Sequence, residues 1–324
     1  MENIFQKIKR FNETIDNEVD YDLNILNKIY LFFDFVKEYL FHKTMLLDYT
    51  QYRFYEKKNR QRRKYVVFGR LIELMNTCND PNYRYIFDNK SEFNKKFAKY
   101  INRDWLDLSN TSLEDFKKFA NSNPEFFIKD PTGMFGMGIK KIKTNEIDNI
   151  EKTYEDLKAK SVLCEQPIIQ SDEMNEFNKS TVNTLRVVSM IDRNNNVHII
   201  GGLLRLGRPG RYADNFHHQG IAAYINPEYG IVSTMGFDKN KDWHIVHPDS
   251  KKKIVGYTIP MWDKVVETIK SAALEVPQMR YIGWDVAITK DNKVELVEGN
   301  SGADPDAEQI TTKEGRWDYY KKYM

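Results

Sequence analysis

The sequence has little cysteine: Cys78 and Cys164 are the only two in 324 residues. That is too few for a disulfide scaffold or a cysteine zinc site, and a reducing compartment is the expectation. An excess of one charge sign is also missing. Lys plus Arg number 49 and Asp plus Glu 47, leaving a formal +2, which supplies no global field for nucleic acid, so any anionic partner must be met by a local patch. No apolar run is long enough to span a bilayer: the richest, Ile29 to Phe41, is broken by Asp34, Lys37 and Glu38. The start, Met1-Glu2-Asn3-Ile4, lacks the basic-then-apolar pattern of a secretion signal. Internal repeats and low-complexity tracts are absent. These absences predict a soluble cytoplasmic protein with no nucleic-acid partner and no transmembrane segment. A composition of 41% hydrophobic and 30% charged residues argues against disorder, and the length predicts two or three packed subdomains.

From Ile4 to about Tyr55 apolar residues recur at helical spacing (Ile25, Ile29, Phe32, Phe33, Val36, Tyr39, Leu40), with neither Gly nor Pro among them. A helical opening segment follows from this. It runs into a cationic stretch, Arg53 to Lys64, interleaved with Tyr52, Phe54 and Tyr55. A solvated helix face is the expectation there, and contact with an anionic lipid or a phosphorylated partner is the alternative. Beyond Pro81 short β-like runs alternate with Gly, Pro and Asn. Phe126 to Lys129 reads as a strand, Glu146 to Lys158 as a helix, and Val162 to Cys164 as a strand. Two hairpins follow, Thr184–Ile191 with Val197–Leu206 and Ile282–Thr289 with Val294–Glu298. Trp262 to Leu274 between them is an amphipathic helix. The class is α+β.

The last hairpin is the most informative. A two-residue Asp291-Asn292 turn makes Lys290 face Lys293, pairs Val286 with Val297, and sets Asp285 directly opposite Glu298. Opposed like charges destabilise a sheet, so something must compensate. Asn300 projects from the same face as Glu298, and three hard oxygen donors suit Mg²⁺ together with substrate phosphates. Solvated acids on an ordinary hairpin would need no Gly299 and Gly302 beside Asn300. A second feature is Lys129-Asp130-Pro131-Thr132-Gly133-Met134-Phe135-Gly136-Met137-Gly138 after a strand. Its glycines let backbone N–H groups approach a polyphosphate, and Lys129 supplies charge; a flexible turn is the competing reading. Third, Arg186 opposes Leu203, which makes Arg205 its diagonal neighbour on one face, and two guanidiniums there imply an anion between them. Arg208 and Arg211 follow in a Gly-rich loop. His217 and His218 point to opposite faces of a strand, and Cys164 reads as a small core residue.

Lys129, the glycine loop, Glu165-Gln166-Pro167-Ile168, and Asp285 with Glu298-Gly299-Asn300 stand in the order seen in ATP-grasp enzymes, which the chain resembles. Ser180 to Arg186, Arg205 to Gly210, Asp214-Asn215-Phe216 and Gly283-Trp284-Asp285 narrow the resemblance to the sugar-transfer-associated branch, related to α-L-glutamate ligases. It extends from about residue 85 to the C-terminus. It implies an ATP-grasp fold of two subdomains clamping ATP behind a helical N-terminal segment: residues 1–84, then 85–166 with the glycine loop, then 167–324 with the metal hairpin. It also implies roles. Lys90 and Lys129 would lie at the nucleotide phosphates with Gly133, Gly136 and Gly138. Glu165, Gln166 and Ile168 would hold adenine, and Asp285, Glu298 and Asn300 would bind magnesium. Arg186 and Arg205 would hold the reactive carboxylate, and Arg208, Asp214, Asn215 and Ser301 would contact substrate. The implied activity is an ATP-dependent carboxylate–amine ligation through an acyl phosphate, on a sugar acid, amino sugar or amino acid of a surface polysaccharide. Phosphorylation of a sugar hydroxyl and a non-catalytic nucleotide-binding scaffold are the alternatives. The oligomeric state is left open.

Overall fold

The computed structural model describes residues 3–19, 23–133, 138–210 and 220–324. The chain divides into two compact units, one of Met1–Thr77 with Asp304–Met324 and one of Cys78–Ala303. This differs from an opening segment ending at 84 and a last subdomain running to 324, because the C-terminal residues join the opening unit.

The first unit begins with α1 (Ile4–Glu18), α2 (Ile25–His42), α3 (Leu46–Gln51), α4 (Asn59–Arg62) and α5 (Phe68–Cys78). The helical opening is therefore broken, and asparagine makes the breaks. Asn3 and Gln6 form a reciprocal capping box at the start of α1, Asn24 caps α2, and Lys43 ends α2 in the left-handed region. The buried face of α2 is not its apolar stripe. Leu31, Asp34, Phe35 and Glu38, at i, i+3, i+4 and i+7, face inward, and Ile25, Ile29, Phe33, Tyr39 and Leu40 are exposed. The reason is Arg62, a buried member of the cationic stretch, whose guanidinium bonds Asp34 at 2.9 and 2.8 Å and Glu38 at 3.2 Å. The stretch is thus split between an interior ion-pair network and surface residues.

The second unit holds two antiparallel sheets. The smaller consists of β1 (Trp105–Asp107), β2 (Glu125–Lys129), β3 (Lys140–Lys143) and β4 (Leu163–Glu165) in the order β1-β4-β2-β3. Helices α8 (Leu113–Ser122) and α9 (Ile150–Lys158) cover it around Phe116, Phe126 and Tyr154; α6 (Tyr85–Asp88) and α7 (Lys90–Lys96) precede it. The larger sheet runs β10-β9-β7-β6-β5-β11-β12. These strands are β5 (Thr184–Ile191), β6 (Val197–Leu206), β7 (Ile221–Asn226), β9 (Gly236–Phe237), β10 (Trp243–His244), β11 (Tyr281–Ile288) and β12 (Val294–Asn300), and β8 (Ile231–Val232) pairs with β7. Helix α10 (Asp172–Asn175) precedes β5. Helix α11 (Trp262–Ala273) lays Val265, Ile269 and Ala272 on the larger sheet. On β11 Trp284 is fully buried among Phe87, Phe93 and Phe97, its indole N–H donating to Ser189 Oγ at 2.8 Å. This packing fixes the strand that carries Asp285. Among the described residues no helix is long and apolar enough to cross a membrane.

The last helices, α12 (Asp306–Thr312) and α13 (Trp317–Lys321), complete the first unit. Gln309 takes the Val66 N–H at 2.7 Å and gives its amide to the Val66 carbonyl at 3.0 Å, and Trp317 N–H reaches Lys64 O at 2.8 Å. A Cβ on Gly315 would stand 2.3 Å from the Lys64 carbonyl carbon, so only glycine passes there.

Candidate active site

Asp285 does pair with Glu298, by a route with two offsets. The turn has three residues rather than two: Thr289 N–H bonds Lys293 O at 2.9 Å, and Asn292 sits at φ 57. This moves the pairing by one, so that Val286 faces Leu296 and not Val297. Val297 then forms a bulge that restores the register at Asp285. The β5–β6 hairpin repeats the pattern, with Asn195 at φ 62 and a register shift beyond Val188, so that Arg186 faces Leu203.

The anion between the two arginines is Asp285. Strand β11 lies beside β5 with Asp285 opposite Arg186. Arg186 Nε donates to Oδ1 and its Nη2 to Oδ2 at 2.9 Å; Arg205 Nη1 donates to both oxygens at 3.0 Å. Each oxygen thus accepts two N–H groups, about what its lone pairs can take. Burial raises the proton affinity of Asp285, but the charges of Arg186 and Arg205 outweigh it and hold the carboxyl well below its usual range. Glu298 goes the other way. Burial and the charge of Asp285 raise its pKa, with Arg186 and Lys90 opposing. The Asn300 amide stands 3.4 Å from Glu298 Oε1.

Lys90, Lys129 and Glu165 also gather here. Lys90 opens α7, donates its Nζ to Gly133 O, and interacts electrostatically with Glu298 and Lys129. Burial lowers its pKa, while Glu298 raises it. Lys129 ends β2 with its Nζ on Glu165 Oε2. Glu165 is buried and also accepts from Asn94 at 2.9 Å and Arg103 at 3.1 Å. Arg103 spans the two sheets, reaching Glu295 on β12 at 2.7 Å and the Leu296 carbonyl at 3.0 Å. Sequence reasoning missed Arg103, Glu295 and Asn94; the only signal was a string of acids and bases that needed partners if buried.

The family model for sugar-transfer associated ATP-grasp matches residues 70–321. The chain belongs to that family. Among solved structures it is similar to the ATP-grasp ligase PsnB complexed with minimal precursor, at 14% identity over 75% of this chain and 63% of that one, TM-score 0.46. It is also similar to D-alanyl-alanine synthetase A from Vibrio cholerae O1 biovar eltor (13%, 76% and 67%, TM-score 0.45) and L-amino acid ligase from Bacillus licheniformis (11%, 67% and 41%, TM-score 0.40). The chain thus spans less than two thirds of the length of the first of these. No curated protein matches it.

Within this ATP-grasp chain the other expected positions have the following surroundings. The Gln166 N–H bonds Asp104 O at 2.8 Å, its side chain accepts from the Asp104 N–H at 3.2 Å, and Ile168 is half-buried. Gly138 sits at φ +77 with no described residue apart from its chain neighbours within 4 Å of where a Cβ would stand, and Gly133 closes a turn on Asp130. Ser301 is buried, its carbonyl taken by Asn79 at 2.8 Å. Arg208 pairs with Asp249 at 2.6 Å near the surface. Gly136, Arg211, Asp214, Asn215, His217 and His218 lie outside the described residues. Cys164 is a core residue, its thiol pushed up to about 12 by burial. Gly299 has a packing reason that its place beside Asn300 did not suggest: a Cβ there would come 2.8 Å from Phe87 and 2.9 Å from Phe93.

Glu298 and Asn300 fit a hard divalent cation. Among the described residues no three His, Cys, Asp or Glu side chains form a metal cage, and the oxygens of Asp285, expected as a third ligand, are taken by Arg186 and Arg205; Glu298 and Asn300 offer one carboxylate and one amide, which suits Mg²⁺ that keeps water and phosphate ligands. The raised proton affinity of Glu298 comes first from burial and then from the charge of Asp285, and a bound cation would offset both.

Proposed function

We propose that the chain is an ATP-dependent carboxylate–amine ligase acting through an acyl phosphate, on a sugar acid, amino sugar or amino acid of a surface polysaccharide. The observation that carries this is Glu298, beside Asn300 and paired across the hairpin with the arginine-clamped Asp285, within electrostatic range of Lys90. In this reading Lys90 and Lys129 neutralise the triphosphate, and Gly133, Gly136 and Gly138 would let backbone N–H groups approach the phosphates. Glu298 and Asn300 would hold Mg²⁺ with Asp285 beside them, and the ion supplies charge neutralisation at the transferring phosphoryl group. Asp285 fixes two guanidiniums on the sheet face, and from there Arg186 and Arg205 orient the substrate carboxylate as its oxygen attacks the γ-phosphorus and ADP leaves. An amine then displaces phosphate, and no enzyme nucleophile is required.

Glu298→Gln tests this. It keeps the side-chain volume and removes the charge, and it should abolish substrate-dependent ADP release and magnesium-dependent stabilisation by ATP while the unfolding transition stays cooperative. Full turnover in this variant would remove the metal assignment. Hydroxylamine added to the wild-type reaction should yield a hydroxamate; its absence during ADP release would point to transfer onto a hydroxyl instead.

A further inference from the structure

The first unit encloses a cavity of about 410 Å³ between the end of α2, the turn after α4 and the first turns of α5. Its wall is cationic. Arg62 is neutralised from behind by Asp34 and Glu38, but the other charges are less well matched. Arg63 shares Glu38 through Nη2, and its Nε is buried without a hydrogen-bond partner among the described residues. Arg70 donates Nη1 to the carbonyls of Arg63 and Tyr65 and lies 4.8 Å over the Trp317 ring, with no carboxylate among the described residues in ion-pair contact. His42 and Lys43 add to the same wall, and Glu73 is the one acid among the described lining residues. Arg63 also lowers the proton affinity of both Arg70 and His42, after burial, and Glu73 and Asp318 at Arg70 and Glu38 at His42 offset this only in part.

Thr44 supplies an independent sign. It is fully buried, it lines the cavity, and its Oγ1 has no hydrogen-bond partner among the described residues. A buried hydroxyl without a partner is costly, and is expected where a ligand completes it. Phe41 lines the cavity and is 74% exposed, and Ile29, Phe33 and Leu40 are exposed on the same helix.

We propose that this cavity binds the phosphoryl group of a phosphate ester, with Lys43, Arg63, Arg70 and Thr44 as donors and Phe41 beside the rest of the ligand. Converging cations and a hydroxyl suit the several acceptor oxygens of a phosphate, and the volume exceeds that of the phosphate alone. The ester can come from a soluble metabolite or an anionic lipid headgroup, and the test separates the two.

The full chain, its nucleotide site filled with a non-hydrolysable ATP analogue and Mg²⁺, is titrated with glycerol 3-phosphate. In parallel it is floated with phosphatidylcholine vesicles with and without phosphatidic acid. Thr44→Val and Lys43→Asn are the variants; the first replaces the orphan hydroxyl by a methyl, and the second keeps a residue tolerant of the left-handed backbone. Each should weaken binding about tenfold, the worth of one bond to a charged group. Thr44→Val should leave the unfolding midpoint unchanged or raised, a result that a merely structural hydroxyl would not give. Glycerol 3-phosphate binding that falls in either variant supports the site with a soluble ester. Binding only to vesicles with phosphatidic acid, falling in either variant, supports it with a lipid ester. No binding in either arm, or binding indifferent to both variants, overturns the proposal.

Discussion

Arg103 is 6% exposed and holds together two buried acids that nothing else fully satisfies. Removing one member of such a group leaves uncompensated charge, which costs about 3–5 kcal/mol. Arg103→Met should therefore lower the unfolding free energy measured in urea by that amount. The pH dependence follows from Glu165, in which burial is outweighed by Arg103 and Lys129, so that its folded pKa lies below the ordinary 4.5. A depressed carboxyl contributes stability that is fully present above its unfolded pKa and is lost as pH falls toward the folded one. Wild-type stability should therefore decline below about pH 4.5. In Arg103→Met the folded pKa of Glu165 rises, so this carboxyl contributes less at neutral pH and the decline attributable to it shrinks. Urea midpoints of both proteins from neutral to acid pH check this; a difference between them that stays constant with pH would contradict it.

At the level of elements, the two hairpins show what a local pattern can and cannot carry. Their strands and the facing of Asp285 and Glu298 were legible, because alternation and turn residues specify them. The three-residue turns and the bulges were not: each offset cancels the other, so a count from an assumed two-residue turn reaches the right pair through the wrong intermediate ones. The neighbour of Arg186 was not legible either, because β5 meets β11 across about 100 residues of chain and nothing in either strand names the other. Helix α2 misled for a different reason. Its inward face carries Asp34 and Glu38, so apolar periodicity marked the wrong side. The turn itself gives a prediction. Asn292 occupies the left-handed region, where a β-branched residue costs about 1–2 kcal/mol. Asn292→Val should lose that much in urea unfolding and reduce ADP release through a loosened Glu298, whereas Asn292→Gly should retain both within error.

For the whole molecule, the division into units sets which losses are shared and which stay local. Residues 304–324 belong to the first unit, and the three bonds of Gln309, to Val66 N–H, Val66 O and Arg316 N–H, tie the last helices to the opening ones. At about 1 kcal/mol each, these bonds make Gln309→Ala a loss of roughly 3 kcal/mol confined to that unit. A chain ending at Ala303 loses them all, together with Trp317 N–H to Lys64 O and the closely packed Gly315. It should show reduced helical circular dichroism and rapid cleavage by trypsin within Arg53–Lys64, where buried Arg62 becomes accessible. The sheets, Trp284, Lys90 and Glu298 all lie in Cys78–Ala303. Magnesium-dependent stabilisation by ATP should therefore persist in the shortened chain. Its loss together with the helical signal would mean that the second unit needs the first in order to fold.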